Sequence, residues 1–390
     1  MSTFIGLIDK DPIRLLTPIL DKRSPCSHAI FIGDKGEFEI FKRLEAVLKK
    51  KSIRSEFFEI TEEPSVNSIK KSALLLAKEL TNQNKSVLFN ASCGLRHRLL
   101  SMYEIFRQYN WPIFVVEPFS DKLCWMQPEG RQSTFIQDHI KLEDYLSIFG
   151  ATCERIKHTL TIGEEKLIEV GNLWAKSATE LGPGLATLNY LASRCRKENV
   201  LSVNLTPIQQ EYIELRTLID DLCRVDLASY HNGILNFHTE DSRRFANGEW
   251  LELLVDHNIK YLANQIPTIQ DKALNLQVHR KVKGESVKNE IDIATVVNNK
   301  LYLIECKTKS MKTDGDDTLY KLETLKDLLG GFQARAMLIS FRPLKYTDIS
   351  RAQDLGLALI GPKELVNLPL YLKNWFNDAG GYDQNEYNHQ

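Results

Sequence analysis

Along the first 150 positions the apolar residues alternate between two rhythms. Residues 3–8, 28–33, 55–60, 86–90 and 112–117 are short apolar runs rich in Ile, Val, Leu and Phe, which predicts strands. Between them, residues 12–20, 38–50, 66–80 and 96–108 carry apolar residues at helical spacing, and Pro12 suits a first helical turn. This βαβα alternation predicts a mostly parallel sheet with helices on both faces. Residues 123–126 and 133–137 read as an added hairpin around Gln127-Pro128-Glu129-Gly130.

From 151 to 238 the pattern becomes mainly helical. Leu181-Gly182-Pro183-Gly184 is expected to break it, Thr206-Pro207 to start a long helix through Leu222, and residues 233–237 to form a short strand. From 239 onward the order predicted is αβββαβ: an amphipathic helix opened by Asn247-Gly248-Glu249-Trp250-Leu251-Glu252, a strand over 276–282, two strands over 290–297 and 301–307, a helix over 317–329 and a strand over 334–340, with further helix and strand to Gly361. Residues 380–390 read as a disordered polar tail.

The chemistry concentrates in the middle of that C-terminal unit. Asn289-Glu290-Ile291-Asp292-Ile293 is followed by Glu305-Cys306-Lys307. Asn298-Asn299 lies between the strands, and Asn tolerates the positive φ of a two-residue hairpin turn. With that turn, Val297 faces Lys300, and counting back places Asp292 opposite Glu305, with Cβ atoms about 5 Å apart. A three-residue turn would shift the register by one. Glu305 and Lys307 share a face and Cys306 points to the other, toward the core. Two facing carboxylates repel unless a cation lies between them. Mg²⁺ or Mn²⁺ would relieve that repulsion, polarise a phosphoryl oxygen and acidify a bound water. Lys307 would position or deprotonate the attacking water, or stabilise transition-state charge. This is the wiring of a metal-dependent phosphodiesterase of the PD-(D/E)xK type.

Composition narrows the reading further. The 390 residues suffice for two or three domains, and 43% apolar with 26% charged residues is ordinary for a globular chain. With a net charge of −1, any phosphate-binding surface must be local. Lys281, Lys283 and Lys288 form one candidate patch, Arg243 and Arg244 another. The seven cysteines form no CxxC pair, so zinc or redox chemistry has no support, and a reducing cytoplasm is expected. No signal peptide or bilayer-crossing segment is expected.

In sheets of the N-terminal type, ligands bind where the strand order reverses. Asp9-Lys10-Asp11 follows the first strand. Asn90-Ala91-Ser92-Cys93-Gly94-Leu95-Arg96-His97 follows the fourth and opens a helix. Small residues, free helix-start N–H groups and Arg96 suit a phosphate-bearing ligand.

With both halves in view, the chain resembles CRISPR-associated effectors in which a CARF sensor domain is fused to a PD-(D/E)xK nuclease. The residues that carry the resemblance are Asn247-Gly-x-Trp-Leu-Glu252, Asn289-Glu-Ile-Asp292, Glu305-Cys-Lys307, Tyr320-Lys321-Leu322 and Gly330-Gly331. The resemblance implies a Rossmann-like CARF domain over 1–150, a connecting module over 151–238 and a nuclease domain over 239–379. It implies Glu252 as the helix acid of the metal site, with Glu249 the second choice. Asp292, Glu305 and Lys307 complete the catalytic set, the three acids holding Mn²⁺ or Mg²⁺. Lys321 is either a phosphate contact or a solvated lysine. Asp9, Lys10, Asp11, Asn90, Ser92, Cys93, Gly94, Arg96 and His97 are implied to bind cyclic tetra- or hexa-adenylate across the axis of a homodimer. The family's Thr-Gly-Gly-Thr-Lys type loop reads Ser92-Cys93-Gly94-Leu95-Arg96 here, which leaves ring size and ring cleavage open. The substrates implied are DNA and RNA, cut with little sequence preference. The alternatives are a catalytically silent sensor or transcription regulator, and a constitutive restriction- or repair-type nuclease.

Overall fold

The computed structural model describes residues 2–23, 25–61, 65–137, 140–156, 163–282, 284–309 and 315–378. The expected tail lies outside the described residues, as does Lys283.

The first unit contains β1 (Ser2–Leu7), α1 (Ile13–Leu20), β2 (Cys26–Gly33), α2 (Phe38–Lys50), β3 (Arg54–Glu59), α3 (Val66–Asn82), β4 (Val87–Asn90), α4 (Arg96–Gln108) and β5 (Ile113–Glu117), then β6 (Lys122–Gln127), β7 (Thr134–Phe135) and α5 (Leu142–Ile148). Among the described residues the sheet order is β3-β2-β1-β4-β5-β6-β7, parallel through β5, with β6 and β7 antiparallel. Alternate residues of β1 and β2 serve opposite faces. Ile5, Leu7, Ile30 and Ile32 pack under α3 and α4, while Phe4, Ala29 and Phe31 pack under α1 and α2. The doubly wound arrangement and its hairpin follow the predicted order closely, because β1, β2, β4 and β5 are largely buried apolar runs.

The boundary expected at 150 is crossed by structure. Residues expected to open a helical module instead form β8 (Ala151–Arg155), which pairs antiparallel with β12 (Ile269–Val282) at the edge of the C-terminal sheet. Five residues of ordinary polarity carry no signal of so distant a partner. The apolar core under α1 and α2 continues into the C-terminal sheet through Leu276, Leu303 and Leu338. Tyr145, fully buried, donates from its hydroxyl to Gly330 O at 3.1 Å. Asn299 and Lys300, in and after the C-terminal hairpin turn, bond to Asp121 and to Phe119 O of the first unit.

The middle module holds α6 (Glu164–Lys176), α7 (Ala178–Glu198), β9 (Ser202–Asn204), α8 (Pro207–Glu211), α9 (Ile213–Arg224), β10 (Ala228–His231) and β11 (Ile234–Phe237), with a small sheet ordered β10-β11-β9. Two expectations are corrected here. Leu181 to Gly184 do not break the helix but lie inside α7. A Cβ on Gly184 would stand 2.7 Å from Glu214 C, so this glycine serves close approach of α7 to α9. The long helix after Pro207 is broken at Tyr212, whose ψ of 105° is extended. Gly184→Ala would push α7 and α9 apart at a cost of about 1–3 kcal/mol. The expected outcome is a lower melting temperature, by about 2–4 °C per kcal/mol, measured by calorimetry.

The last unit comprises α10 (Glu240–Arg244), α11 (Trp250–Ala263), β12, β13 (Glu285–Val297), β14 (Lys300–Lys307), α12 (Gly315–Gly330), β15 (Arg335–Ser340), α13 (Tyr346–Asp354), β16 (Ala358–Ile360) and α14 (Leu368–Asn377). Among the described residues its sheet runs β16-β15-β14-β13-β12-β8. The αβββαβ order is as the apolar pattern predicts.

Candidate active site

The hairpin comes first. Asn298 and Asn299 stand at φ 49° and 55°, and Val297 pairs with Lys300, so the two-residue turn expected from the Asn pair is present. The regular ladder runs back only to Ile293–Ile304. One step further, Asp292 turns its carboxylate onto the Cys306 N–H at 2.7 Å. On the other side, Asn275 of β12 lies between the pairs Leu274–Ile293 and Leu276–Ile291 with φ 51°. Ile291 and Ile293 would share a face in a regular strand, yet they belong to different cores. The strand therefore rolls over at Asp292, and the regular ladder stops short of the Asp292–Glu305 pair. The Glu305 charge still ranks directly after burial in pushing the Asp292 carboxyl up to about 7.

Glu305 and Lys307 share a face, as alternation requires, and form an ion pair. Cys306 between them is buried in the opposite core. Burial pulls the Lys307 ammonium down, but Glu305 and Asp292 outweigh it and its pKa is raised. Lys307 is thus a cation suited to holding a nucleophile or a developing negative charge rather than a resting base.

The third acid arrives on α11, and the Asn-Gly-x-Trp-Leu-Glu motif explains how. A kink precedes the helix, with Gly248 at φ 127°. A Cβ there would collide with the Thr308 hydroxyl oxygen. Asn247 accepts from the Ser193 hydroxyl at 2.8 Å, and Asn189 donates to Thr308 Oγ1 at 3.2 Å, so α7 buttresses both sides of the kink. Trp250 is buried edge-on against Trp174 and Phe341 and fixes the rotation of α11. Burial, followed by the charges of Asp292, Glu249 and Glu305, pushes Glu252 well above the usual carboxylate range. Among the described residues Glu252 has no hydrogen-bond or ion-pair partner, whereas Glu249 is engaged by Arg244 at 2.5 Å. That separates the two helix acids in favour of Glu252.

Of these groups, Glu252 and Lys307 line a cavity of about 490 Å³, together with Glu290, Asn275, Arg196 and Lys309 among others; Asp292 and Glu305 are not among its lining residues. Among the described residues, no group of three His, Cys, Asp or Glu side chains already stands at metal-enclosing spacing. The positions of the acids explain this, since Asp292 is drawn to a backbone N–H and Glu305 to Lys307. The donor set itself fits a divalent cation: the carboxylate oxygens are hard ligands, and burial with the neighbouring acids raises the pKa of Glu252 and Asp292, which leaves them short of positive charge.

Several residues escaped sequence reasoning. Arg196 comes from the middle module, and Asn275 and Thr308 sit beside the motif rather than in it. Of the candidate basic residues, Arg243 is buried and held by Glu240 at 2.8 Å, and Arg244 by Glu249. Lys281 and Lys288 are exposed on the β12–β13 ribbon. Lys321 is exposed on α12 and is not among the residues lining the cavity.

The N-terminal loops meet at the switch point between β1 and β4. The Asp9 carboxylate accepts from the Gly94 N–H at 3.1 Å and from the Lys10 N–H at 2.5 Å, tying the two loops together. Asn90 donates to Arg14 O at 2.8 Å. The Ser92 hydroxyl bonds Asn90 at 2.5 Å and accepts from the Val116 N–H at 2.7 Å. Cys93 is turned inward and burial pushes its thiol up to about 12. Asp11 is buried, pushed up to about 6 first by burial. Of the residues proposed to meet a ligand, these build the loop, while Lys10, Arg96 and His97 present exposed side chains. A second cavity of about 490 Å³ is lined by Asp9, Lys10 and Asp11 together with Gly331 and Phe332 of the C-terminal unit.

A family model described as "Card1-like, endonuclease domain" matches residues 239–379. Among curated proteins, none matches. Among solved structures, protein VC1899 from Vibrio cholerae is 56% identical with a TM-score of 0.93, over 98% of this chain and 99% of that one. Can2 from Sulfobacillus thermosulfidooxidans, solved in complex with cyclic tetra-adenylate, is 21% identical with a TM-score of 0.77, over 97% of this chain and 100% of that one. A type III CRISPR defence DNA nuclease activated by cyclic oligoadenylate is 14% identical with a TM-score of 0.53, over 97% of this chain and 52% of that one.

Proposed function

From the premise that this chain belongs to the same family as protein VC1899 and is a nuclease through its Card1-like endonuclease domain, we propose a divalent-metal-dependent enzyme that cyclic oligoadenylate switches on in type III CRISPR defence. The observation that carries the reading is the closeness of Glu252, Asp292 and Glu305, felt in the raised carboxyls of Glu252 and Asp292, next to a cavity that Glu252 and Lys307 line. The three acids would hold Mn²⁺ or Mg²⁺, which supplies Lewis acidity and an activated water. Glu305 must then release Lys307. The freed ammonium orients the attacking water or meets charge developing on the phosphoryl oxygens. Thr308 and Asn189 keep the kink before Glu252 in place. The substrates are DNA and RNA, read through their backbone with little sequence preference.

The fold shared with Can2, whose structure contains cyclic tetra-adenylate, supports an activator of that class at the Asp9–Asp11 and Asn90–His97 loops. Exposed Leu74 and Leu75 on α3 and Leu100 on α4 support packing against a second copy, so that one cyclic ligand meets two sets of loops. To take the enzyme from mostly off to mostly on, the ligand must bind the active state with roughly 10⁴-fold preference. The cytoplasm is the compartment proposed.

Purified protein with Mn²⁺ or Mg²⁺ is expected to degrade plasmid, single-stranded DNA and RNA when cyclic tetra- or hexa-adenylate is added. Substrates left intact in every combination would end the proposal. Cleavage indifferent to the cyclic nucleotide would replace it with the constitutive reading.

A further inference from the structure

The charges around the active-site cavity do not cancel evenly. Arg243 is taken by Glu240, Arg244 by Glu249, and Lys307 by Glu305. Of the lining acids, Glu252 and Glu290 have no ion-pair partner among the described residues. Two lining cations stand in the same position. Arg196, from α7 of the middle module, and Lys309, two residues past Lys307, both line the cavity and are exposed. Among the described residues neither has a carboxylate within ion-pair reach. They act on each other instead. Burial and then the positive charges of Arg196, Lys307 and Arg243 depress the Lys309 ammonium. Glu240, the acid nearest in kind, also feels Arg196 but spends its oxygens on Arg243 at 2.8 and 2.5 Å. Two cations that repel one another at the mouth of an acidic, cation-seeking centre form a site for an anion. In a phosphodiesterase the anion with a reason to be there is a backbone phosphate of the strand being cut.

We propose that Arg196 and Lys309 form a phosphate shelf that seats the substrate strand beside the scissile bond, so that the middle module supplies part of the nuclease's substrate site. The inference rests on the nuclease reading above. It assigns α7 a binding task as well as its structural one, since the same helix buttresses the kink through Asn189 and Ser193. Both residues contact substrate rather than reacting atoms, so their loss should appear in binding and in KM before kcat.

The test compares wild type, Arg196→Ala/Lys309→Ala and Arg196→Lys, each as full-length protein. Binding of a fluorescent 20-nucleotide single strand is measured with Ca²⁺ at 50 to 200 mM salt, and cleavage with Mn²⁺ and activator. Each phosphate contact on a single strand contributes about 0.7 to the slope of log affinity against log salt, so the double variant should lose about 1.4. Between those salts the wild type should weaken about 7-fold more than the variant. KM should rise on the order of 10-fold with kcat changed less, and Arg196→Lys should retain the salt slope. An unchanged slope in the double variant, while wild type cleaves and Glu305→Gln does not, overturns the shelf and leaves the nuclease reading standing. Equal loss of kcat together with a lowered melting temperature overturns it as well, marking the pair as structural. Wild type that neither cleaves nor binds the strand removes the nuclease reading and the shelf together.

Discussion

Asp292→Asn is expected to abolish cleavage, by on the order of 10³-fold or more, and to make the metal-free protein more stable at pH 8. The second half separates a functional acid from a structural one. Asp292 has its folded pKa raised from 3.8 to about 7, with burial the leading cause and Glu305 next. The folded state therefore prefers the protonated carboxyl. A group of this kind adds nothing unfavourable below the unfolded value. Its cost grows as pH rises through the interval from about 4 to 7 and is complete above it. At pH 8 the ionised carboxylate opposes folding by on the order of a few kcal/mol. Asn keeps an oxygen to accept from the Cys306 N–H and removes the charge. Melting curves should place the variant above wild type at pH 8, with the gap closing near pH 4. Mn²⁺ should raise the wild-type melting temperature and leave the variant almost unmoved, because only a native metal site gains from mass action. Glu305→Gln should differ in sign, since it strands the Lys307 ammonium without its partner while also losing cleavage. An Asp292→Asn protein that still cuts, or one less stable than wild type at every pH, would sink the assignment.

The contrast between the two acids shows where the sequence is legible. The Asn298-Asn299 turn, the register of β13 on β14 and the shared face of Glu305 and Lys307 all follow from local rules of φ and alternation. The roll of the strand at Asp292 does not, because Asn275 beside it precedes the strand expected over 276–282 and belongs to β12 only in the structure. The same division holds elsewhere. In the N-terminal sheet β1, β2, β4 and β5 are largely buried runs whose apolar residues announce them. β8 could not be read, because its five residues owe their strand state to β12, more than a hundred positions away. Leu181 to Gly184 look like a break when glycine and proline are weighed by propensity alone, yet Gly184 is there for the backbone of Glu214. In the loop after β4 the residue types pointed to a ligand, and in the structure Asn90 and Ser92 hydrogen-bond within the loop and to its neighbours while Cys93 is buried. Lys10, Arg96 and His97 are exposed. Arg196 carried no signal at all, being one arginine in a helix that sequence pattern connects to nothing.

Gly248→Ala should cost both stability and most of the cleavage, although Gly248 carries no functional group. Two separate penalties meet at this position. Its φ of 127° lies where residues with a Cβ are strained, worth on the order of 1–3 kcal/mol. The added methyl would also collide with Oγ1 of Thr308, which Asn189 holds from the far side. The kink must open, and α11 carries Glu252 away with it. A displacement on the order of 1 Å at a catalytic carboxylate can lower the rate about 10²-fold. The two penalties can be parted by a second substitution. Thr308→Ala removes the colliding hydroxyl and leaves the backbone strain, so Gly248→Ala/Thr308→Ala should recover part of the cleavage while the melting temperature stays low. Thr308→Ala alone loses only the bond from Asn189, about 1 kcal/mol. If Gly248→Ala cleaves and melts as wild type does, the kink is not what aims Glu252, and the burial of Trp250 alone must hold the helix in place.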